Sequence, residues 1–313
     1  MLKNREIAAI VPCYNEEQTI AAVVKDLKDA VPGITVYVYD NNSSDATVAV
    51  AAKAGAIIRN ENRQGKGNVV RRAFADIDAD IYLLIDGDDT YDVASAPDMI
   101  RALVEGPFDH ILGCRVDHKE ASAYRFGHAS GNRMFNLLVG FLFGEPVTDM
   151  LSGYRVFSRR FVKSFPALSR GFEIETELTV HAMALRVPQK EMPVGFSDRP
   201  EGSFSKLNTF RDGFRILWLI ARLFTHERPF GFFGTISAVS TVAGLALGIP
   251  VIFEFANSGV VERFPSAILA GFLMVIGFLS AAVGAILSGV LRGRRESMRL
   301  AYLNHVAMID PAL

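Results

Sequence analysis

Residues 7–16 read Ile-Ala-Ala-Ile-Val-Pro-Cys-Tyr-Asn-Glu, an apolar run that ends at a proline and passes directly into polar side chains. The run at 7–11 is short and apolar throughout, which predicts a strand buried on both faces of a parallel sheet. Similar runs follow at 34–39, 56–59, 81–85 and 109–114, and apolar residues at helical spacing separate them. This alternation predicts an α/β fold with a doubly wound, mostly parallel sheet and helices on both faces.

Polar residues directly follow four of these predicted strands. They are Pro12-Cys13-Tyr14-Asn15-Glu16, Asp40-Asn41, Asp86-Gly87-Asp88-Asp89 and Gly113-Cys114-Arg115. Ligands of doubly wound sheets bind beyond the carboxyl ends of the strands. We therefore expect the four clusters to meet at one edge of the sheet and to form a binding site.

Asp86 and Asp88 predict a metal site, because carboxylates held this close repel each other unless a cation lies between them. Mg²⁺ or Mn²⁺ suits hard oxygen ligands and commonly bridges to substrate phosphates. Gly87 leaves room for a ligand next to the backbone. A solvated turn is the alternative for an Asp-x-Asp pattern, and the position directly after a strand favours the metal site.

Residues around this edge also predict a site for a nucleotide. Asp40 ends the second strand, where its two acceptor oxygens are placed to bind a base or a ribose. The residues that we expect to pack against the same base are Pro12, Tyr14, Asn15 and Glu16. Lys66 lies between two glycines at the start of a helix, so its ammonium and the backbone N–H groups are expected to face an anion. The sequence has neither a P-loop pattern nor a G-x-G-x-x-G after the first strand, which disfavours a dinucleotide-dependent oxidoreductase.

The composition disfavours several classes of protein. The 313 residues include 33 basic and 34 acidic side chains, for a formal net charge of −1, so a nucleic-acid binder is not expected. Cys13 and Cys114 are the only cysteines and form no C-x-x-C pattern, which disfavours a disulfide scaffold and a zinc site. The first residues contain no long apolar segment of the kind found in signal peptides, so we expect the amino-terminal domain on the cytoplasmic side.

Two long uncharged stretches, 229–253 and 264–291, predict two membrane-spanning helices, because about 20 apolar residues cross a bilayer. Arginines precede the first stretch and follow the second, which predicts that both ends are cytoplasmic. The segment 207–228 predicts an amphipathic helix in the headgroup plane, with a helix packed on the domain core as the alternative. The predicted division is a catalytic domain at 1–206, this juxtamembrane helix at 207–228, a transmembrane hairpin at 229–291 and a cytoplasmic tail at 292–313.

Several motifs resemble those of family 2 glycosyltransferases of the GT-A fold. They are Ile10-Val11-Pro12-Cys13-Tyr14-Asn15-Glu16, Tyr39-Asp40-Asn41-Asn42-Ser43-Ser44-Asp45, Gly65-Lys66-Gly67 and Asp86-Gly87-Asp88. Two further motifs resemble the polyprenyl-phosphate branch, which contains dolichol-phosphate mannose synthase and bacterial undecaprenyl-phosphate glucosyltransferases. They are Thr148-Asp149-Met150-Leu151-Ser152-Gly153-Tyr154-Arg155 and Arg199-Pro200-Glu201-Gly202-Ser203-Phe204-Ser205-Lys206. The Q-x-x-R-W motif of processive synthases does not occur, since Trp218 is the only tryptophan.

The resemblance implies roles that agree with the chemistry above. The residues after the first two strands would hold the nucleotide, and Asp86 and Asp88 would place the cation on its diphosphate. The implied binding residues for the acceptor phosphate are Arg115, Arg125, Ser130, Arg199 and Lys206, and the implied catalytic residues are Asp88, Asp149 and Arg199. For Asp149, orienting substrate hydroxyls and a purely structural pair with Arg155 both stay open. The acidic segment 173–177 is expected to close one wall of the donor pocket.

These expectations describe an inverting, metal-dependent hexosyltransferase at the cytoplasmic face of the inner membrane. Its donor would be a nucleotide sugar, its acceptor an undecaprenyl-type phosphate, and its products would feed glycan biosynthesis. Thr90 occupies a position that helps to hold the metal in mannose synthases, so GDP-mannose stays open as the donor beside the favoured UDP-linked hexose. The same fold with another lipid or a protein as acceptor is the alternative, and homo-oligomerisation through the membrane helices stays open.

Overall fold

The computed structural model describes residues 5–117, 148–171, 173–197 and 228–307, together with the single residue Gly140. The chain divides into two compact units. The first consists of Met1–Thr209 with Ser297–Leu313, and the second of Phe210–Glu296.

A seven-stranded sheet forms the centre of the first unit. Its strands are β1 (Ile7–Cys13), β2 (Thr35–Asp40), β3 (Ile57–Asn60), β4 (Ile81–Leu84), β5 (His110–Asp117), β6 (Arg155–Ser158) and β7 (Gln189–Phe196), in the spatial order β3-β2-β1-β4-β6-β5-β7. β1 pairs in parallel with β2 and β4, β2 with β3, and β5 with β7. The predicted doubly wound, mostly parallel α/β sheet is therefore confirmed.

Helices cover both faces of this sheet. They are α1 (Ile20–Ala30), α2 (Thr47–Lys53), α3 (Lys66–Asp76), α4 (Ala96–Glu105), α5 (Arg159–Ser164) and α6 (Ile174–Leu185). Successive side chains of β1 enter opposite cores, as the two-residue period of a strand requires. Ala9 joins the cluster that contains α1 and α4, and Ile10 joins the cluster that contains α3, α5 and α6. The apolar run at 7–11 thus reads as fully buried because both of its faces are covered.

β6 was not predicted from the sequence. Its four residues are all buried and pair antiparallel with both β4 and β5. Arg155 lies opposite Leu84, at the carboxyl end of β4, and opposite Leu112 in β5. Only Val156 and Phe157 of its four residues are apolar, so its composition gives no clear strand signal, and its strand character comes from β4 and β5. The chain therefore enters β6 at the edge of the sheet where β4 ends.

The amphipathic juxtamembrane helix predicted at 207–228 lies outside the described residues except for Arg228. The acidic segment 173–177 forms the start of α6.

The second unit contains two long apolar helices that could cross a membrane. They are α7 (Pro229–Ser258) and α8 (Phe264–Leu303), and only 11% and 17% of their most apolar windows are buried. Within this unit Gly244 and Gly277 let the helices approach closely, since a Cβ at Gly277 would lie 2.5 Å from Thr241 Oγ1. α8 extends beyond the predicted end at 291, and its last residues belong to the first unit.

The end of α8 is anchored within the first unit by a buried carboxylate. Tyr302 donates a hydrogen bond of 2.6 Å to Asp109 Oδ2, and Arg160 donates to both oxygens of the same carboxylate. The Arg160 guanidinium also lies 4.6 Å from the centre of the Tyr302 ring. Asp109 has no exposed surface, so its charge depends on these partners.

Candidate active site

The polar clusters after β1, β2 and β4 meet at one edge of the sheet. Asn41 N–H donates to the Cys13 carbonyl at 2.9 Å, which joins the ends of β1 and β2. Thr19 Oγ1 donates to the Gly87 carbonyl at 2.7 Å, which ties the turn after β4 to the start of α1. β5 runs parallel to β4 because both are antiparallel to β6, so Arg115 reaches the same edge.

Lys66 occupies the centre of this edge between two carboxylates. Its ammonium lies 2.7 Å from Glu175 Oε1 and forms a second, shorter ion pair with Asp86 Oδ1. The side chains of Lys66 and Glu175 are 8% and 5% exposed, whereas that of Asp86 is 28% exposed. Burial alone would lower the pKa of Lys66, but the two carboxylates outweigh it and raise the pKa, so this lysine is charged. Burial raises the pKa of Glu175, and Lys66 offsets part of that rise.

Gly153 is the neighbour that makes this cluster compact. A Cβ at this position would lie 2.6 Å from Asp86 Oδ2 and 2.8 Å from Lys66 Nζ. Its backbone N–H donates to the hydroxyl of the buried Tyr91 at 2.9 Å. Neither Gly153 nor Tyr91 had a predicted role, because only the folded chain brings them to Asp86.

Asp88 is buried directly after Asp86. Its Oδ1 accepts a hydrogen bond of 2.7 Å from Thr90 Oγ1 and a longer one of 3.3 Å from Thr90 N–H. The following residue, Asp89, has a positive φ of 56°, which turns the chain sharply after the acidic pair. Thr90 therefore orients Asp88 through hydrogen bonds to its Oδ1.

The expected nucleotide side is built around Asp40 and Asn15. Both oxygens of Asp40 accept from Ser43 N–H, at 3.2 and 3.3 Å, in a turn directly after β2. Asn15 accepts from Ser44 N–H at 2.8 Å, so the loop after β1 is tied to the loop after β2. Pro12, Tyr14 and Glu16 are half-buried beside them.

The start of α3 differs from the expected anion site. The N–H groups of Gly67 and Asn68 donate to the carbonyls of Gly171 and Arg170, at 3.1 and 3.3 Å, so they are not open to a ligand. A Cβ at Gly67 would lie 2.4 Å from the Ser169 carbonyl, which explains the glycine. The ammonium of Lys66 reaches the site, as expected. The prediction that the N–H groups of Gly67 and Asn68 also face an anion was wrong, because both are already bonded to carbonyls.

Arg115 and Asp149 form the second charged group of the edge. Arg115 donates from Nε and Nη2 to the two oxygens of Asp149, each at 2.7 Å, in a bidentate pair. Burial alone would lower the pKa of Arg115, but the bonds to Asp149 reverse this and raise it. The guanidinium also lies 5.4 Å from the centre of the Phe196 ring. The structure pairs Asp149 with Arg115 and not with Arg155, the structural partner that was considered for it.

Arg155 is fully buried and makes no ion pair within the part of the chain that the structure describes. It donates from Nε to the Ser152 carbonyl at 2.9 Å, from Nη2 to the Met150 carbonyl at 2.7 Å, and from Nη1 to Thr179 Oγ1 at 2.9 Å. Burial lowers the pKa of Arg155 to about 10. Its contacts fix residues 149–153, which we call the edge segment, between Arg115 and Asp86.

The acidic pair suits a divalent cation. Asp86 and Asp88 supply hard oxygen ligands on a turn, and Asp86 is partly open to solvent. No group of three or more His, Cys, Asp or Glu side chains placed to hold a metal occurs among the described residues. A site of this kind fits Mg²⁺ or Mn²⁺, which is commonly held by one or two carboxylates and completed by substrate phosphates and water.

Four predicted acceptor residues lie outside the described residues. They are Arg125, Ser130, Arg199 and Lys206. Of the predicted acceptor-binding arginines, Arg115 is the one that the structure places at the edge.

Comparison with known proteins gives a consistent picture. The family profile described as Glycosyl transferase family 2 matches residues 8–165. The chain is 33% identical over 295 residues to Glycosyltransferase AglJ of Haloferax volcanii, an alignment that covers 94% of this chain and 96% of the relative. It is 27% identical over 223 residues to a dolichyl-phosphate hexose transferase of the same organism, covering 71% of this chain and 96% of the relative.

A solved structure shares the fold. It is glucosyl-3-phosphoglycerate synthase of Mycobacterium tuberculosis in complex with Mn²⁺, UDP and phosphoglyceric acid. The TM-score is 0.58 at 22% identity, and the match covers 72% of this chain and 79% of that one.

Proposed function

Because the chain belongs to glycosyltransferase family 2, we propose that it transfers a hexose from a nucleotide sugar to the phosphate of a polyprenyl carrier. The single observation that carries this proposal is the edge segment. At one end of this segment Gly153 lies next to Asp86. At the other end Asp149 holds the guanidinium of Arg115, a group well suited to bind phosphate. A site for a diphosphate donor and a site for an anionic acceptor thus share one wall.

On the donor side, the loops after β1 and β2 would hold the nucleotide, with Asp40 toward the base or ribose. Lys66 would offer its ammonium to the diphosphate, since it is the only group at the start of α3 that reaches the site. A divalent cation on Asp86 and Asp88, when bound, would neutralise charge that develops on the leaving nucleoside diphosphate. Thr90 keeps Asp88 oriented by donating to its Oδ1.

On the acceptor side, Arg115 would bind the lipid phosphate. Arg115 donates from Nε and Nη2 to Asp149, which leaves the N–H groups of Nη1 and the second N–H of Nη2 for phosphate oxygens. Arg125, Ser130, Arg199 and Lys206 are proposed to complete this site. The anionic phosphate oxygen would attack the anomeric carbon as the bond to the diphosphate breaks, and the leaving group takes the electron pair. The anomeric configuration inverts, and no strong general base is needed because the nucleophile is already ionised.

The two apolar helices and the relatives support a lipid carrier. α7 and α8 are long and apolar enough to hold the enzyme at a bilayer, where a polyprenyl chain resides. One relative is named for hexose transfer on dolichyl phosphate. We propose that the catalytic unit lies in the cytoplasm at the inner membrane, with a UDP-linked hexose as the favoured donor and GDP-mannose as the second.

The test uses membranes that contain the full-length protein. They are incubated with a panel of radiolabelled UDP- and GDP-sugars and undecaprenyl phosphate, with and without a chelator. We expect one sugar to enter the lipid fraction, and the chelator to abolish this transfer. Free undecaprenol is the matched control and should accept no sugar. Transfer to undecaprenol, to diacylglycerol or to protein instead would overturn the proposed acceptor.

A further inference from the structure

The Lys66 ammonium occupies a position that a bound metal would contest. Its ion pair with Asp86 Oδ1 places a positive charge directly on a proposed metal ligand. A divalent cation on the same carboxylate would be repelled by this charge, because both lie within a few ångströms in a site of low exposure. Metal binding to Asp86 is therefore favoured when Lys66 moves away from this carboxylate.

Glu175 is the only other carboxylate to which Lys66 is paired among the described residues. Its Oε1 already accepts from the ammonium at 2.7 Å. Its Oε2 is buried and has no hydrogen-bond partner in the described part of the chain. Because an ammonium has three N–H donors, this oxygen can take the donor that Lys66 withdraws from Asp86.

We propose that Glu175 is a positioning residue that draws Lys66 away from Asp86 and so opens Asp86 to the divalent cation. This inference rests on the proposed function, since it presumes that Asp86 is a metal ligand. Without Glu175, the buried ammonium would keep Asp86 as its only partner, because leaving it unpaired is unfavourable. Lys66 and the metal would then compete for one carboxylate.

Two substitutions should act in opposite directions. Glu175→Gln removes the charge of the second partner and leaves only an amide oxygen as acceptor, so we expect Mn²⁺ affinity in the absence of nucleotide to fall about 10-fold, a typical coupling between neighbouring sites. Lys66→Met removes the competitor, so we expect Mn²⁺ affinity to rise by about the same factor. In the double variant, Glu175→Gln should no longer weaken Mn²⁺ binding, because it acts only through Lys66.

The measurement is an electron paramagnetic resonance titration of free Mn²⁺ with the full-length protein in lipid nanodiscs, without nucleotide and with UDP. The matched control is Glu105→Gln, which removes the same charge from an exposed position at the end of α4. It should leave Mn²⁺ affinity within about twofold of wild type, because an exposed charge is screened by solvent. Lys66→Gln replaces Lys66→Met if the latter does not fold.

Two outcomes would overturn the inference while leaving the metal site intact. One is equal Mn²⁺ affinity in the Glu175→Gln and Glu105→Gln variants. The other is a lower Mn²⁺ affinity in Lys66→Met without nucleotide. If the wild-type protein bound no Mn²⁺ in either condition, the metal site of the proposed function would fail, and this inference with it.

Discussion

The proposed donor side and the proposed acceptor side of the candidate active site hold their cations differently. Lys66 is shared by two carboxylates, Asp86 and Glu175, whereas Arg115 is held by Asp149 alone through two parallel hydrogen bonds. The donor cluster thus keeps a net negative charge, which suits a further cation. The acceptor pair is neutral and rigid, which suits a guanidinium that must present its remaining N–H groups in a fixed direction.

The largest expected effect is on the donor side. Asp88→Asn keeps the shape and the hydrogen bond from Thr90 but removes the charge, so we expect kcat/KM to fall about 10²- to 10³-fold. Initial rates with saturating lipid acceptor measure this change. Asp92→Asn is the control, since this exposed residue caps the turn before α4 through Ala94 N–H, and an asparagine can accept the same bond. Near-normal rates for Asp88→Asn would remove the distinction between the two sides.

The second prediction concerns the acceptor side. Asp149→Asn breaks the bidentate pair, so Arg115 loses its fixed direction, and kcat/KM for the lipid acceptor should fall about 10- to 100-fold. The donor KM should stay within about twofold, because no contact joins Asp149 to Lys66 or Asp86 among the described residues. Rates are measured against each substrate in turn. Glu191→Gln, at a residue that accepts from Thr148 just before the edge segment, is the control. A rise confined to the donor KM would contradict the assignment.

A smaller effect is expected from Gly153→Ala. The added Cβ would meet Asp86 Oδ2 and Lys66 Nζ, which must shift, so we expect the donor KM to rise about 10-fold while the acceptor KM changes little. Leu151→Ala, a change at an exposed residue of the same segment, should alter neither KM. Equal changes in both KM values for Gly153→Ala would show that the two sides cannot be separated at this residue.

The smallest effect concerns the support beneath both sides. His110 Nε2 lies 3.4 Å from Arg155 Nη1 and Nδ1 lies 3.2 Å from Gln189 Oε1, which fits a neutral ring. Burial, and then the Arg155 charge, hold the pKa of His110 well below its usual value of 6.5. Below this pH, His110 is therefore protonated in the unfolded chain but stays neutral in the folded chain. The free energy of unfolding should therefore decrease as the pH is lowered below 6.5, by about 1.4 kcal/mol per pH unit for this residue.

Chemical denaturation of the full-length protein in detergent, followed between neutral and mildly acidic pH, measures this dependence. In His110→Gln the glutamine can still accept from Arg155 but cannot be protonated, so the slope should decrease by up to one proton. Tyr82→Phe, which removes a hydroxyl bonded to the backbone of Ile77 and Ala79, is the control and should shift the free energy of unfolding without changing the slope. An unchanged slope in His110→Gln would show that His110 is not the group that resists protonation.

The sequence predicted the strands that are long and apolar, and the edge at which they end. β1, β2 and β4 are uniform runs whose burial on both faces is visible in their composition. β6 has only two apolar residues, so its composition does not indicate a buried strand. Its position between β4 and β5 comes from long-range pairing. The residue types at the edge were predictable because carboxylates and cations at strand ends suggest their own chemistry.

The pairing of these residues was not predictable to the same degree. Arg155 was the structural partner considered for Asp149, but its guanidinium donates to the carbonyls of Met150 and Ser152. The backbone at the start of α3 was expected to bind an anion, but the loop at 169–171 occupies it. Contacts of this kind depend on segments that are distant in sequence and carry no local pattern.

The antiparallel direction of β6 has a consequence for how such enzymes can diversify. Because β6 starts where β4 ends, the five residues of the edge segment set the separation between the proposed donor-binding and acceptor-binding residues. A loop insertion there would change both recognition tasks at once, whereas insertions after β1 or β2 would touch only one. Chimeras that exchange acceptor preference between relatives should therefore keep residues 149–155 together with Arg115 as one inherited block.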